Sequence, residues 1–171
     1  MQERQGLVTI DGNPLTLVGP ELRPGDAAPG FTLLDTDMNP KTLEDYRGRP
    51  LIISSVPSLD TPVCDMETRR FNREAASLGD GVRVLTVSMD LPFAQSRWCG
   101  AAGVDNVVTL SDHKDASFGE NWGVLLRELR LLARCVFVVD ADAVIRFVHL
   151  VPEVTDEPDY DAVLAAVRDV V

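Results

Sequence analysis

The stretch Leu51-Ile52-Ile53-Ser54-Ser55-Val56-Pro57-Ser58-Leu59-Asp60-Thr61-Pro62-Val63-Cys64 carries an apolar run through a proline-stiffened loop into a helical pattern. Leu51 to Val56 reads as a strand, and strands without polar alternation are those that helices cover on both faces. Pro62 suits the first turn of a helix, where its missing N–H is not needed, and Thr61 before it is a competent N-cap. A helix is therefore expected over 64–78. Outward from it the alternation continues: strand 82–89, helix 93–102, strand 106–110, short helix 115–122, strands 136–140 and 144–150, and an amphipathic helix over 159–171. The tight Ala141-Asp142 connection makes the last two strands an antiparallel hairpin. The pattern predicts a three-layer α/β domain with a mixed sheet.

Upstream, Leu7–Ile10 and Leu15–Val18 flank the turn sequence Asp11-Gly12-Asn13-Pro14 and read as a β-hairpin. Pro20 to Gly30 is irregular, and Phe31-Thr32-Leu33-Leu34 is a short strand. Residues 1–19 are thus expected as a hairpin extension, an appendage ahead of the main fold, with the whole of 1–171 forming one domain.

The chain has 171 residues, 45% of them hydrophobic, enough for one core without staples. Its 16 basic and 27 acidic residues give a net charge of −11, and Lys41 and Lys114 are the only lysines. Nucleic-acid affinity comes largely from clustered Lys and Arg, so this balance argues against nucleic acid as a partner, and equally against an anionic membrane surface. No apolar run approaches the roughly 18 residues of a membrane span, and the opening MQERQG lacks a basic segment followed by a hydrophobic one. A soluble, cytoplasmic protein is the expectation.

Cys64, Cys99 and Cys135 are too few and too widely spaced for the disulfide framework of a small secreted domain. Neither Cys-x-x-Cys nor His-Glu-x-x-His occurs, which leaves no zinc or di-iron motif within one segment. Cys64 stands out by its place in the first turn of a helix, where free backbone N–H groups and the positive end of the dipole favour thiolate over thiol. A thiolate attacks peroxides, disulfides and electrophiles. A small buried residue at a helix start is the plainer reading, and position alone leaves both open.

Pro57, Thr61 and Cys64, in a P-x-x-x-T-x-x-C arrangement, resemble the active-site loop of the peroxiredoxins, and Ser58 to Asp65 is similar to the atypical two-cysteine, thiol peroxidase branch of that family. The likeness runs along nearly the whole chain. Asn13-Pro14-Leu15-Thr16-Leu17-Val18-Gly19 resembles the branch's hairpin extension, Gly25 to Phe31 its amino-terminal segment, and Met89 to Gly100 its second-cysteine segment. Ala133-Arg134 and Thr155 to Tyr160 resemble later motifs.

The resemblance implies a thioredoxin-like fold and a thiol-dependent peroxidase that reduces hydrogen peroxide or organic hydroperoxides with no metal, haem or flavin. It implies that Cys64 is the peroxidatic nucleophile, that Thr61 and Arg134 activate thiolate and peroxide, and that Pro57 shapes the loop and shields the sulfenic acid. Cys99 would resolve that acid as an intramolecular Cys64–Cys99 disulfide recycled by thioredoxin, in a homodimer. Because both cysteines begin in helices and a disulfide needs Cα atoms within about 7 Å, local unwinding is expected in the cycle. A redox-sensing or client-binding module with the same oxidisable cysteine is the alternative, separated by whether turnover is multiple.

Three departures from the family pattern stand out. Cys135 replaces a more usual alanine and, alternating with Arg134 along a strand, is expected in the core and chemically idle. Glu67 stands where Gln is more usual and adds negative charge one helical turn from Cys64. The stretch Leu126 to Leu132 is unusually rich in charge and leucine. Cys64 and Arg70 also form the C-x-x-x-x-x-R spacing of cysteine phosphatases, but Asp65 and Glu67 inside it, with no glycine, would repel the anion.

Overall fold

The computed structural model describes residues 1–78, 81–103 and 106–171. Strands β1 (Glu3–Ile10) and β2 (Asn13–Val18) form the opening hairpin, followed by β3 (Thr32–Leu34), β4 (Pro40–Thr42) and a 3-10 turn at Leu43–Tyr46. Then come β5 (Leu51–Ser55), α1 (Pro62–Leu78), β6 (Arg83–Ser88), α2 (Pro92–Ala102), β7 (Val107–Ser111) and α3 (Ser117–Asn121). The short pair β8 (Leu125–Leu126) and β9 (Leu131–Leu132) precedes β10 (Cys135–Val139), β11 (Ile145–Leu150) and α4 (Tyr160–Arg168).

The main sheet has seven strands in the order β11-β10-β5-β6-β7-β3-β4. Strands β5, β6 and β7 run parallel, while β10 lies antiparallel to β5 and β11 antiparallel to β10. All of β5 is buried because both faces are covered. Ile52 faces Phe71 and Ala75 of α1 and Val163 and Val167 of α4. Leu51 and Ile53 point the other way, into a larger cluster with Phe118, Trp122, Phe137 and the hairpin. The expected three layers and mixed sheet are therefore present, and α2 packs beside β7.

The hairpin is more than an appendage. It pairs through Leu17↔Leu126 and Val18↔Leu125 with β8, building a second, four-stranded sheet of order β1-β2-β8-β9. Val8, Leu15 and Leu17 are buried in the main core, each contributing up to roughly 1.5–3 kcal/mol by burial. The leucine-rich stretch noted above supplies β8, which receives the hairpin, and β9 beside it, and its charges bind the hairpin as well: Glu128 Oε2 accepts from Thr16 N at 2.9 Å and Arg127 pairs with Glu3. Where the hairpin ends, the backbone passes so close to the end of α3 that a Cβ on Gly123 would stand 1.9 Å from the Pro20 carbonyl oxygen, so only glycine fits.

Candidate active site

Two serines end the otherwise apolar β5, and both are fully buried. Buried hydroxyls require partners, and these two lead into the site. Ser54 donates to Glu67 Oε1 at 2.8 Å, and Ser55 donates to the Ala133 carbonyl oxygen at 2.8 Å, tying β5 to the residue just before Arg134.

The chain then enters the loop before α1. Val56 N donates to Val87 O at 3.0 Å, keeping the loop in line with β6. Asp90, just beyond β6, holds it from below, accepting from Ser58 Oγ at 2.7 Å and from Leu59 N at 2.8 Å. Ser88 Oγ donates to the same carboxylate at 2.8 Å and itself accepts from Gln95 Nε2 at 3.0 Å. Pro57 is buried in this loop. Thr61 is half-buried, and its hydroxyl donates to the Ser58 carbonyl at 2.9 Å, an arrangement that closes the turn immediately ahead of α1. α1 begins at Pro62, two residues earlier than the sequence pattern placed it, and this puts Cys64 in its first turn.

Cys64 has no exposed surface and packs with Val56 and Leu59, with Trp98 against them. Its sulfur receives a charged donor: Arg134 Nη2 lies 3.1 Å from Sγ. The same guanidinium donates through Nη1 to Glu67 Oε2 and through Nε to the Val154 carbonyl oxygen at 3.0 Å. Three partners on three edges fix the plane of a buried fork that a lysine would not reproduce. Burial works against the charge of Arg134, but Glu67 and the Cys64 sulfur more than offset it, so the proton is held more tightly than on a free arginine. For Glu67, burial pushes the carboxyl above the usual carboxylate range, opposed by Arg134 and the Ser54 hydroxyl.

Cys99 lies in α2, half-exposed, with Sγ 3.4 Å from Thr109 Oγ1. It borders an open cleft of about 550 Å³ lined also by Lys41, Tyr46 and Arg83. Cys64 and Cys99 are both free thiols here. Cys135 is buried in the main core, and burial pushes its thiol far above the ordinary range, so it carries little thiolate.

The structure thus joins Cys64 directly to Arg134, places Thr61 and Pro57 in the loop that presents Cys64, and keeps Cys99 on a neighbouring helix. Ser54, Glu67, Asp90 and Val154 complete the setting. Only Glu67 drew notice in the sequence, as an added charge near Cys64; its carboxylate pairs with the same guanidinium that meets the Cys64 sulfur. Among the described residues no group of three or more His, Cys, Asp or Glu is placed to hold a metal ion, and no helix is long and apolar enough to cross a membrane.

Comparison with known proteins agrees with this geometry. Residues 23–164 match the redoxin family. A thiol peroxidase of Staphylococcus aureus (strain MRSA252) is 57% identical over 163 residues, covering 95% of this chain and 98% of its own. A thiol peroxidase of Bacillus subtilis (strain 168) is 54% identical over 164 residues, covering 96% and 98%. The crystal structure of a peroxiredoxin-like protein from Aquifex aeolicus superposes with a TM-score of 0.91 at 42% identity, over 98% of this chain and 99% of that one. A thiol peroxidase from Chromobacterium violaceum shares the fold at a TM-score of 0.85 and 22% identity, with 95% of each chain covered. With a thioredoxin-type fold, a helix-start cysteine gripped by a buried arginine, and relatives this similar along nearly their full length, the chain belongs to the redoxin family as a peroxiredoxin-type thiol peroxidase.

Proposed function

We propose that Cys64 is the peroxidatic residue and Cys99 its resolving partner, in an atypical two-cysteine cycle. The observation that carries the reading is the 3.1 Å contact between Arg134 Nη2 and the buried Cys64 sulfur. A fixed guanidinium in a dry site is the donor that a thiolate accepts and that can follow charge onto a peroxide oxygen as the O–O bond breaks. The Cys64 thiolate attacks the terminal hydroperoxide oxygen, the alkoxide or hydroxide departs and takes a proton, and Cys64 becomes a sulfenic acid. Thr61, at the mouth of the loop, would turn its hydroxyl toward the substrate, and Pro57 would limit access of water to the sulfenic acid.

Cys99 then attacks the sulfenic sulfur, expelling water and leaving a Cys64–Cys99 disulfide. Both residues sit within helices, so the first turn of α1, part of α2, or both must unwind to bring the Cα atoms within about 7 Å. An external dithiol restores the two thiols; thioredoxin is the proposed reductant, and a cytoplasmic homodimer the proposed working form. The half-exposure of Cys99 supports attack by a protein dithiol at that sulfur.

The test is direct. Reduced protein given one equivalent of hydrogen peroxide, quenched within seconds with a thiol alkylator and peptide-mapped, should show Cys64 linked to Cys99 and Cys135 alkylated. In Cys99→Ser the first oxidation should persist as a sulfenic acid that thioredoxin does not recycle. Three alkylated cysteines with the peroxide unconsumed would overturn the reading.

Glu67 gives a pH-dependent check. Burial pushes its carboxyl above the ordinary range, and in its ionised form it is a second anion on the guanidinium that faces the Cys64 sulfur. Glu67→Gln keeps one amide oxygen to accept from Arg134 Nη1, with its NH₂ able to donate to the Ser54 hydroxyl, but removes that anion, and the pH–rate profile of Cys64 alkylation by iodoacetamide should move to lower pH. A shift to higher pH would show that the carboxylate assists the thiolate.

A further inference from the structure

We propose that Asp65 and Trp98 form a latch that sets how fast Cys64 and Cys99 join, which makes them positioning residues for the disulfide step; the inference rests on Cys99 being the resolving thiol. Each is the immediate neighbour of one cysteine. Asp65 Oδ1 accepts a hydrogen bond from Trp98 Nε1 at 2.7 Å, a charge-assisted bond running from the first turn of α1 to α2. Its other oxygen accepts from Arg69 Nε at 3.0 Å. The Arg69 guanidinium lies over the Trp98 ring, 5.8 Å from its centroid, and Arg69 Nη1 reaches the Ala102 carbonyl at the end of α2 at 3.4 Å. The indole in turn packs against the cluster of Val56, Leu59 and the fully buried Cys64.

These contacts belong to the fully folded arrangement alone. Joining the sulfurs follows Cys64–SOH + Cys99–SH → Cys64–S–S–Cys99 + H₂O: the S–O bond breaks, the S–S bond forms, and the sulfenic hydroxyl leaves as water with the proton from Cys99. It requires the first turn of α1, part of α2, or both to open, and either opening pulls Asp65 away from Trp98. The latch therefore holds Cys64 in its peroxide-reactive setting and delays the disulfide. During that delay a second hydroperoxide molecule competes for the same sulfenic acid, Cys64–SOH + ROOH → Cys64–SO₂H + ROH, an oxidation that thiols do not reverse. The latch thereby tunes sensitivity to overoxidation.

The partition between the two fates is the readout. Reduced protein is exposed to a series of excess hydrogen peroxide concentrations without reductant, quenched, and the ratio of Cys64 sulfinic acid to Cys64–Cys99 disulfide is measured by mass spectrometry. Trp98→Phe keeps the ring and loses the donor; Asp65→Ala loses both acceptors. Each should lower the ratio about three- to tenfold, the span of one net hydrogen bond. The double variant should fall no further than the lower single one, because both changes delete the same bond. Asp65→Asn, which retains an acceptor for the indole, should fall between. An unchanged or raised ratio in both Trp98→Phe and Asp65→Ala, or fully additive effects, overturns the latch. Absence of any Cys64–Cys99 disulfide in the unmodified chain would instead overturn the assignment of Cys99 on which it stands.

Discussion

A Cys64→Ser chain is expected to consume hydroperoxide no faster than buffer while keeping its fold. Serine hydroxyl is a weak nucleophile unless an adjacent base takes its proton, and the atom facing Sγ is Arg134 Nη2, a donor that cannot accept one. Glu67 is committed elsewhere, its two oxygens accepting from Arg134 Nη1 and from Ser54 Oγ. Neither route deprotonates a serine, and oxygen at that position cannot be oxidised to a sulfenic acid. The replacement is small and polar and can still accept from Arg134, so the unfolding midpoint should stay within about 2–4 °C, the shift that 1 kcal/mol gives a domain of this size. Hydroperoxide consumption with a dithiol reductant measures the first claim, and a thermal melt the second. Turnover surviving in this variant would move the chemistry elsewhere. Cys135 could not take it over, since burial holds its thiol protonated.

Much of the fold was legible because its signals are local. Leu51 to Val56 and the pattern after Cys64 announce a strand and a helix within single segments, and Asp11-Gly12 announces the hairpin turn. The hairpin's destination was not. Leu125–Leu126 and Leu131–Leu132 are two-residue strands, too short to show a period, so the pairing of the first with β2 and of the second with the first left no mark beyond a leucine-rich composition. β1 begins at Glu3 because it runs on through a register shift between Arg4 and Val8, where polar residues and Gly6 conceal it from a hydrophobicity pattern.

The site divides along the same line. Cys64 is visible from its place at a helix start, and Arg134 only through likeness to a family. The bonds that make the arginine useful reach across 67 positions to Glu67, 70 to Cys64 and 20 to Val154, distances that no spacing in the chain encodes. One local hint exists: Ser54 and Ser55 are polar residues in a strand whose other positions are apolar. Once such a strand is read as buried on both faces, its hydroxyls must have partners, and following them leads to Glu67 and to the residue before Arg134.

Arg134 carries two burdens, and one pair of variants separates them. Arg134→Met should lower the second-order rate with hydroperoxide about 10²–10³-fold, the usual loss when a preorganised donor to developing charge is removed. It should also destabilise the fold by roughly 3–5 kcal/mol, because it leaves the Glu67 carboxylate buried without its counter-charge. Adding Glu67→Gln removes the stranded charge while leaving an acceptor for Ser54, so most of the lost stability should return. The rate should not, since no donor then faces the Cys64 sulfur. Denaturant melts and peroxide kinetics on the single and double variants provide the comparison. If the double variant regained both stability and rate, Arg134 would be a counter-ion for Glu67 alone; recovery of stability with the rate still lost would assign the guanidinium to the sulfur and the peroxide it attacks.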